Sequence, residues 1–538
     1  MRKLLIIPFV IYVLLGASIS FAQDSLKLLA TIMGEDEWDD FTHCASAGDL
    51  NADGFMDIIV GAPGGSGGQG LIKIYFGSPD FDTIPEFRIV DGGNFGKSVA
   101  CAGDVNKDGY SDIVVGAPSA YNYNSQSSMA GKAHIYFGGS PMDTVVDVIL
   151  QDSDYYYMQG YCVSSAGDVN GDGYDDVLIA APDDWAAAGR VFVYFGGEDM
   201  DSVYDVRIEG PPDSSENFGW SVAGIGDINS DGYDDVLIGR PYAGPPWGSG
   251  KASVYFGGNP MDTIPDIVIK GDINKFYRLG RNVASGGDYN GDGFYDILVS
   301  GAGRYTKVFY TVSSSPEVFL DTLNLFGEDI LPSAFGWAIS VASNINKDEF
   351  DDFMVADIDY GVDLKGKVYI FYGGAEVDSL WDITLTGRGN RKEHFGAKLA
   401  PAGDINGDGW NEVMVSSYYD STLIGEVFIF TSNPTSVEEP HKKGHVNNFH
   451  LDQNFPNPFN AETIIEYVLP ENSQIDLSVY NILGGHVRTL IHQYQGAGHK
   501  KTTWDGKDQA GREVSSGVYF YRLETDRFIE VKKMLLLR

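Results

Sequence analysis

The feature that most constrains this chain is a nine-residue acidic loop that returns at nearly even spacing. Its first copy runs from Asp49 to Asp57, and an apolar stretch follows at once. The copies begin, in order, at Asp49, Asp104, Asp168, Asp227, Asp288, Asn344 and Asp404, so successive copies lie 55 to 64 residues apart. Self-similarity at such a period predicts a repeat architecture, which is a solenoid, a propeller or an array.

The residue types in each loop predict calcium binding. Oxygen-bearing side chains occupy positions 1, 3, 5 and 9, and glycine occupies position 6 in every copy but the sixth. Calcium takes about six to eight oxygens, and a tight turn can aim alternate side chains and the position-7 carbonyl at one point. An EF-hand needs a glutamate at position 12, where the first loop has Val60, and paired dockerin loops fail for the same reason. The alternative is a set of metal-free Asx turns, but crowded carboxylates repel one another without a cation.

We therefore predict about six Ca²⁺ ions. The predicted ligands stand at positions 1, 3, 5, 7 and 9 of six loops, and they are Asp49, Asn51, Asp53, Phe55, Asp57, Asp104, Asn106, Asp108, Tyr110, Asp112, Asp168, Asn170, Asp172, Tyr174, Asp176, Asp227, Asn229, Asp231, Tyr233, Asp235, Asp288, Asn290, Asp292, Phe294, Asp296, Asp404, Asn406, Asp408, Trp410 and Glu412. The sixth loop, from Asn344 to Asp352, is predicted to be empty or weakest. Asn344 replaces the first carboxylate there, and Glu349 replaces the glycine that the turn favours.

The stretches between the loops predict four short strands per repeat, joined by turns. An apolar strand follows each loop, and a third strand such as residues 191–195 precedes a turn and an alternating fourth strand. Seven such units predict an all-β fold, a seven-bladed β-propeller over residues 23–431. The seventh unit lacks its own fourth strand after Phe430. We predict that the segment near residues 26–33, which resembles a fourth strand, completes that last blade.

Two short motifs carry a family resemblance. A Phe-Gly pair stands at residues 95–96, 218–219, 335–336 and 395–396, and Gly-Ala-Pro stands at 61–63 and 116–118. In this order with the acidic loops, they resemble the FG-GAP repeats of the integrin alpha-chain propeller, over about residues 25–431. Phe41-Thr42, Gly160-Tyr161 and Leu279-Gly280 depart from Phe-Gly, and the last three units lack Gly-Ala-Pro. The resemblance implies a calcium-braced propeller and leaves its ligand open.

The two ends of the chain predict export. Residues 1–22 combine Arg2 and Lys3 with an apolar stretch and a small-x-small site ending at Ala22, which is typical of a signal peptide. No other segment approaches the roughly 18 apolar residues that span a bilayer, so no transmembrane segment is predicted in the mature chain. Residues 432–449 are predicted to be a linker, because they are polar and lack a strand period.

Residues 450–538 predict a small β-sandwich, because short alternating segments such as 475–480, 517–523 and 528–537 are joined by Gly-rich turns. Residues 457–460, 517–521 and 532–535 resemble the C-terminal sorting domain of type IX secretion substrates, and this resemblance implies an immunoglobulin-like sandwich. The resemblance implies a bacterium with two membranes and passage through the type IX secretion machinery to the medium or the outer cell surface. The alternative is a passive sandwich appended to the propeller.

The charge of the chain limits the classes of partner that it can bind. Residues 23–436 carry 23 basic and 63 acidic side chains, whereas residues 437–538 carry 12 and 13. Such an acidic field repels nucleic acid and anionic lipid and suits divalent cations and basic or neutral partners.

Cys44, Cys101 and Cys162 precede the first three loops at equivalent places, which predicts small buried core residues. A bridge between Cys44 and Cys101 is the alternative.

No catalytic motif stands in its required context. Residues 64–68 match G-x-S-x-G and residues 65–70 match G-x-G-x-x-G, but both motifs need a helix next, and residues 71–76 predict a strand. His43, His134 and His394 fall in three different units, which leaves zinc chemistry unsupported. Carboxylates are too numerous for counting alone to exclude a glycosidase pair.

Recognition is predicted on the propeller face opposite the acidic loops. The connections of an antiparallel blade alternate between faces, so the variable loops share that face, and loops on a rigid scaffold commonly carry recognition. The aromatic candidates for ligand binding are Tyr121, Tyr123, Tyr155, Tyr156, Tyr157, Trp185 and Trp247. Packing of these rings between blades is the alternative.

The sequence thus predicts a secreted or cell-surface calcium-binding propeller that acts as a non-enzymatic adhesion or ligand-binding module. Its ligand would be an extracellular protein or glycan. The alternative is a secreted glycan-active enzyme, a lyase or hydrolase, on the same scaffold. A close pair of carboxylates in a cleft of the variable face, outside the calcium loops, would favour that enzyme.

Overall fold

A computed structural model describes residues 26–537, apart from the gaps 35–38, 65–68, 121–129, 153–157, 183–188, 212–215, 245–247, 273–277, 302–304, 312–319, 327–333, 362–363, 376, 378, 389–391, 419–423, 433–449, 452–453, 455–458, 461, 470–472, 483–484, 496–497 and 526–528. The regular elements of this part are all β-strands, β1 to β35. Among these residues no helix could cross a membrane. The chain divides into two compact units, Met1–Ser436 and Val437–Arg538.

The first unit contains antiparallel sheets of four strands. In six of them the four strands follow one another in the chain: β2 (His43–Gly48), β3 (Asp57–Ala62), β4 (Gly70–Tyr75) and β5 (Phe87–Asp91); β6 (Ser98–Gly103), β7 (Asp112–Ala117), β8 (Lys132–Tyr136) and β9 (Val148–Leu150); β10 (Cys162–Gly167), β11 (Asp176–Ala181), β12 (Arg190–Tyr194) and β13 (Val206–Glu209); β14 (Ser221–Gly226), β15 (Asp235–Arg240), β16 (Lys251–Tyr255) and β17 (Ile267–Lys270); β18 (Asn282–Gly287), β19 (Asp296–Ser300), β20 (Tyr305–Thr311) and β21 (Leu320–Phe326); β22 (Phe335–Ser343), β23 (Asp352–Asp357), β24 (Lys367–Phe371) and β25 (Ile383–Thr386).

The seventh sheet joins the two ends of the repeat array. It contains β26 (Leu399–Gly403), β27 (Glu412–Tyr418) and β28 (Gly425–Thr431), and its outermost strand is the N-terminal β1 (Lys27–Met33). Ile32 pairs with Val427 and is 2% exposed. The first strand of each sheet contacts that of the next, and β26 contacts β2, so the ring closes. The predicted completion of the last blade by the N-terminal segment is confirmed.

The seven sheets stack through apolar faces, which is why their central strands are apolar on both sides. All six residues of β3, Asp57–Ala62, are buried. One core cluster joins Ile32 and Val427 of the last sheet to Ile58 of the first. Burial on both faces favours continuous apolar strands over alternating ones, as the sequence shows after each acidic loop.

The Phe-Gly and Gly-Ala-Pro motifs contact each other at the boundary between neighbouring sheets. Phe95 is fully buried, and the Gly96 amide donates to the Gly116 carbonyl at 3.0 Å. A Cβ at Gly61 would lie 2.1 Å from the Gly96 carbonyl oxygen. Only glycine at residue 61 therefore allows the chain entering the second blade to press against the first blade.

The second unit consists of two small sheets around one core. The first contains β29 (His450–Leu451), β30 (Thr463–Leu469) and β33 (Gly498–Trp504), and the second contains β31 (Ser473–Asn481), β32 (His486–Gln495), β34 (Gly517–Glu524) and β35 (Ile529–Leu536). Trp504 and Leu477 of different sheets share a buried cluster. The strands predicted near 475–480, 517–523 and 528–537 are present, and the immunoglobulin-like topology stays a prediction.

Candidate functional site

Each inner strand ends in a bulge that aims the chain into its acidic loop. In the first blade the register shifts between Ser46 and Gly48, and Gly48 adopts a left-handed φ of 77°. A bulge of this kind bends a strand and redirects the chain that leaves it. Within the loop, Ala52 and Gly54 also have positive φ, 55° and 92°. The glycine at position 6 predicts this conformation, whereas the alanine at position 4 does not.

The carboxylates at positions 1 and 5 fold inward onto the loop's own amides. The amides of Asp53 and Gly54 donate to Asp49 Oδ1 and Oδ2 at 3.1 and 2.9 Å. The Phe55 amide donates to Asp53 Oδ1 at 3.0 Å. The loops that begin at Asp104, Asp168, Asp227, Asp288 and Asp404 repeat the bond from the position-6 glycine to the first aspartate. Six loops thus share one conformation.

The acid at position 9 has a structural role that the sequence did not reveal. Asp57 is fully buried, and its two oxygens accept from the Leu50 and Gly77 amides, both at 2.8 Å. It therefore ties the loop to the end of the third strand. Burial raises the pKa of Asp57 to about 7, and the negative charges of Asp53 and Asp49 add to that rise. The equivalent acids, also fully buried, are Asp112, Asp176, Asp235, Asp296, Asp352 and Glu412.

The donor set of every loop but the sixth fits calcium in its chemistry. In these six loops, carboxylates at positions 1, 5 and 9 bring up to about three negative charges to one turn, and the donor atoms are all oxygens. At position 3 the side chain points a nitrogen toward the carboxylates: Asn51 Nδ2 donates to Asp53 Oδ2 at 2.9 Å. Within the described residues no three acid, histidine or cysteine side chains are grouped as a metal site. Binding would need the amide of Asn51 to rotate and present Oδ1.

The sixth loop departs from the other six as its sequence predicts. Asn344 Nδ2 donates to the Asp348 carbonyl at 2.7 Å, and Asn344 Oδ1 is buried with no hydrogen-bond partner in the described structure. The position-6 glycines have φ of 79° to 94°, whereas Glu349 is not among the residues with positive φ. The inward closure onto position 1 is therefore lost in this loop.

Position 8 links several loops to the next loop along the ring, a role that the loop pattern did not reveal. The amides of Asp104 and Asp168 donate to Asp175 Oδ2 and Asp234 Oδ2 of the following loops, at 2.8 and 2.9 Å. Ser111 Oγ accepts from the Asp49 amide at 3.2 Å, and Asp351 Oδ2 accepts from the Asp288 amide at 3.1 Å. The doubled aspartates at 175–176, 234–235 and 351–352 were the signal that could have revealed three of these contacts. Four pairs of neighbouring loops are thus linked in this way.

The opposite end of the propeller axis holds a cavity of about 540 Å³. Residues near the start of all seven inner strands line it, whereas the acidic loops follow the last residues of the same strands. One lining residue of each strand is His43, Ser98, Cys162, Ser221, Asn282, Ala338 and Leu399. We call this space the axial cavity. Each blade supplies only a few of its wall residues, so no single repeat encodes it.

Cations outnumber carboxylates in the axial cavity. Of the described residues, Lys97, Arg281 and Lys398 line it together with one carboxylate, that of Asp40. Asp40 contacts His43, with 3.6 Å between Oδ2 and Nε2, and burial lowers the pKa of His43 to about 4, so that imidazole is neutral near pH 7. Burial also lowers the pKa of Lys398, and the nearby charge of Lys97 lowers it further.

The aromatic residues proposed for ligand binding cannot be placed. Tyr121, Tyr123, Tyr155, Tyr156, Tyr157, Trp185 and Trp247 all lie outside the described residues. Residues 1–22 and most of the segment 432–449 lie outside them too, so the signal peptide and the linker stay predictions. The aromatic rings that do line the axial cavity, among them Trp220 and Trp337, stand at the entries of blades four and six.

The remaining sequence predictions concern cysteines and catalytic motifs. Cys44, Cys101 and Cys162 are free thiols, and the alternative bridge between Cys44 and Cys101 is not formed. Burial raises the pKa of Cys44 to about 12 and that of Cys101 to about 11, so both thiols stay protonated and unreactive. The glycine-rich motifs at 64–70 lead into strand Gly70–Tyr75, as expected for a chance match.

The fold and its loops define a β-propeller of FG-GAP repeats with a sorting domain. The FG-GAP repeat model matches residues 45–75, 95–136, 163–194 and 218–255. The secretion system C-terminal sorting domain model matches residues 453–537. The chain therefore carries both modules, and the second indicates type IX export to the cell surface or the medium.

Relatives match parts of the chain. Integrin alpha-5 of Xenopus laevis is 31% identical over 257 residues, which cover 43% of this chain and 23% of that protein. Human phosphatidylinositol-glycan-specific phospholipase D is 26% identical over 404 residues, covering 63% of this chain and 46% of that protein. The chain thus spans less than half of either relative. A solved structure of PorZ, a surface component of the type IX secretion system of Porphyromonas gingivalis, matches at 12% identity and a TM-score of 0.38, covering 90% of this chain and 58% of that one, which is too slight a likeness to bear on function.

Proposed function

We propose that this protein is a calcium-stabilised, non-enzymatic adhesion or ligand-binding propeller, exported across an outer membrane by its C-terminal domain. One observation carries the proposal: acidic loops of one spacing recur in seven blades, and several of them are hydrogen-bonded to the next loop on the same face. Six of them share a conformation in which the carboxylates at positions 1 and 5 turn inward. A face of this kind would stabilise the scaffold, and recognition would then belong to the loops of the opposite face.

Calcium would act on this face as a brace. Each loop except the sixth concentrates three carboxylates whose mutual repulsion a divalent cation relieves. The position-8 contacts, such as Asp175 Oδ2 to the Asp104 amide at 2.8 Å, would pass the ordering of one loop to the next. We expect about six ions, with the loop from Asn344 to Asp352 empty or weakest, because its first position bears no carboxylate.

The site geometry favours binding over catalysis. A glycosidase needs two carboxyl groups flanking one bond. Among the described residues that line the axial cavity, Asp40 is the one carboxylate, and it already contacts His43 and accepts from Thr42 Oγ1 at 3.1 Å. No described feature favours the glycan-active enzyme. The phospholipase activity in the name of one relative belongs to that protein, of which this chain covers 46%.

An array of glycans and extracellular matrix proteins tests the proposed binding role. The mature chain is applied in about millimolar calcium and again after chelation, since extracellular calcium modules bind at about 0.1 to 1 mM. We expect selective binding in calcium that falls when calcium is removed. Binding to no spot of the array in calcium, or hydrolysis of arrayed glycans, would contradict the proposal.

The sorting domain leads to a separate prediction. We expect the mature extracellular protein to lack the second unit, with cleavage between Ser432 and Phe449, because a sorting domain has no task after passage. The measurement is the intact mass of the form recovered from the culture medium or cell surface, with the cytoplasmic precursor as control. Recovery of a product that still extends to Arg538 would count against removal of the domain.

A further inference from the structure

We propose that the axial cavity binds the negatively charged oxygens of an acidic saccharide, through Lys97, Arg281 and Lys398. This inference rests on the proposed binding function and gives that function a ligand class. The chemistry recognised is that of an oxyanion, either carboxylate or sulfate. A free inorganic anion could present the same chemistry, so the two sources must be titrated separately.

The axial cavity differs in charge from the unit that surrounds it. Residues 23–436 carry 63 acidic and only 23 basic side chains, yet among the described residues that line the cavity three are cationic and one, Asp40, is a carboxylate. Asp40 interacts electrostatically with both Lys97 and Lys398, but none of the three cations forms a salt bridge within the described residues. One carboxylate does not offset three cations, so an anionic ligand would supply the remaining negative charge.

Arg281 is held in place without a carboxylate. Its guanidinium carbon lies 4.3 Å from the ring centre of Trp337 and 5.9 Å from that of Trp220. Its backbone amide donates to the Arg278 and Ser300 carbonyls, both at 3.1 Å. Cation–π contacts fix the position of a guanidinium and leave its N–H groups for an anion. Such a preorganised cation is typical of a binding site.

Placing Lys97 and Lys398 together costs free energy. Both lysines line the cavity. The Lys398 side chain is exposed, yet the protein atoms around it lower its pKa by desolvation, and the charge of Lys97 lowers it further. Like charges brought together in a partly desolvated space destabilise a fold unless a ligand offsets them. Destabilised charge of this kind is common where a protein binds something.

The size and walls of the cavity favour a saccharide over an inorganic ion. At about 540 Å³ the space is far larger than a sulfate ion and falls within the range of small-molecule sites, about 300 to 1,000 Å³. Tyr161, Trp220, Trp337 and Tyr418 add aromatic surface, which the C–H faces of a sugar ring can cover. The axial cavity suits the end of a saccharide chain better than an extended peptide, because an extended peptide needs a groove.

Isothermal titration calorimetry of the mature chain in calcium tests the inference. The probes are a hyaluronan tetrasaccharide, which bears carboxylates, neutral chitotetraose, a glutamate tetrapeptide and sodium sulfate. The variants are Lys97→Met and Lys398→Met, with Lys270→Met as control, because Lys270 is exposed on the outermost strand of the fourth blade. We expect hyaluronan binding that weakens roughly tenfold or more in each cavity variant, weakens with salt and is unchanged in the control.

The melting temperature separates a binding role from a structural one. If the lysines serve binding, removing a crowded charge should leave the melting temperature equal or raise it, while hyaluronan affinity falls. A lower melting temperature with unchanged affinity would overturn the inference. Equal affinity for chitotetraose, tighter binding of the glutamate peptide, or no binding of any probe would also overturn it.

Three further outcomes keep the inference apart from the proposed function. Sulfate that binds as tightly as hyaluronan would support the cavity and assign it a free oxyanion in place of a saccharide. An array ligand whose affinity is indifferent to Lys97→Met and Lys398→Met would refute the cavity site and leave the binding function standing. A silent array together with hyaluronan binding in the calorimeter would refute the broader adhesion role alone.

Discussion

The two ends of the propeller axis differ in charge and in origin. The acidic face is built from contiguous nine-residue loops, each folded largely on itself, as Asp49 accepting from the Gly54 amide at 2.9 Å shows. The axial cavity at the other end draws its walls from all seven inner strands and gathers Lys97, Arg281 and Lys398 from three blades. A repeated local motif thus produces one end, and closure of the ring produces the other.

This difference separates what a single blade can do from what only the ring can do. Under the proposed function a loop would bind calcium with the ligands of its own repeat, and contacts with the next blade, such as that of Asp175 with the Asp104 amide, would modify its affinity. A single blade does not form the cavity, because its walls come from all seven inner strands. Perturbations of the ring should therefore reach both ends, whereas perturbations of calcium or of one loop should reach the acidic face first.

Opening the ring should have the largest effect. Deleting residues 23–34 removes the strand that pairs Ile32 with Val427, so we expect loss of cooperative unfolding, followed by circular dichroism during thermal and chemical denaturation. In the intact ring, Ile32→Ala should cost about 2 to 4 kcal/mol, because its side chain is 2% exposed. Leu28→Ala on the same strand, where the side chain is 44% exposed, is the control and should cost about 1 kcal/mol or less. A truncated chain that melts like the parent would reject closure by this strand.

Removing calcium should have the next largest effect and should act on the acidic face. Six sites occupied in millimolar calcium, each contributing about 1 to 1.5 kcal/mol, sum to on the order of 6 to 9 kcal/mol. Urea unfolding in calcium and in chelator measures the difference. Magnesium at equal concentration is the control, because its smaller ion demands stricter octahedral geometry. Identical midpoints in calcium and chelator would refute the brace.

Substitutions within one loop should distinguish structural from metal-binding carboxylates. In chelator, Asp57→Ala leaves the buried Leu50 and Gly77 amides without acceptors, which should cost about 2 to 5 kcal/mol. Asp53→Ala, at an exposed position of the same loop, should cost less than about 1 kcal/mol in chelator and gain its effect only when calcium is added. The measurement is the free energy of unfolding under both conditions. Equal costs for both variants in chelator would show that position 9 does not anchor the loop.

The sixth loop offers the smallest and sharpest change. Asn344→Asp combined with Glu349→Gly restores the first carboxylate and the left-handed turn, so we expect one additional calcium ion and a gain of about 1 to 1.5 kcal/mol in millimolar calcium. Ion counting by anomalous diffraction and calorimetric titration check this result. Either substitution alone serves as a control. A full-strength ion in the native sixth loop at low calcium would overturn its assignment as the weakest site.

The sequence by itself determined the repeats, the strand order and the loop chemistry. These features are local. The spacing of the acidic residues, the apolar run after each loop and the absence of a fourth strand from the seventh unit can all be read from contiguous residues. Ring closure by Lys27–Met33 followed from the same count of strands, and the pairing with β28 confirms it. The departure of the sixth loop at Asn344 and Glu349 was equally visible, because each change lies within nine contiguous residues.

Only the tertiary structure decided which residues meet across blades. Asp175 accepts from the Asp104 amide 71 residues earlier, and Arg281 reaches Trp220 and Trp337 of two other repeats, so no local pattern announces either contact. The burial of Asp57 also depends on Gly77 at the end of a different strand. Sequence patterns record the chemistry that a residue brings, whereas its partners depend on how the closed ring orders the strands in space.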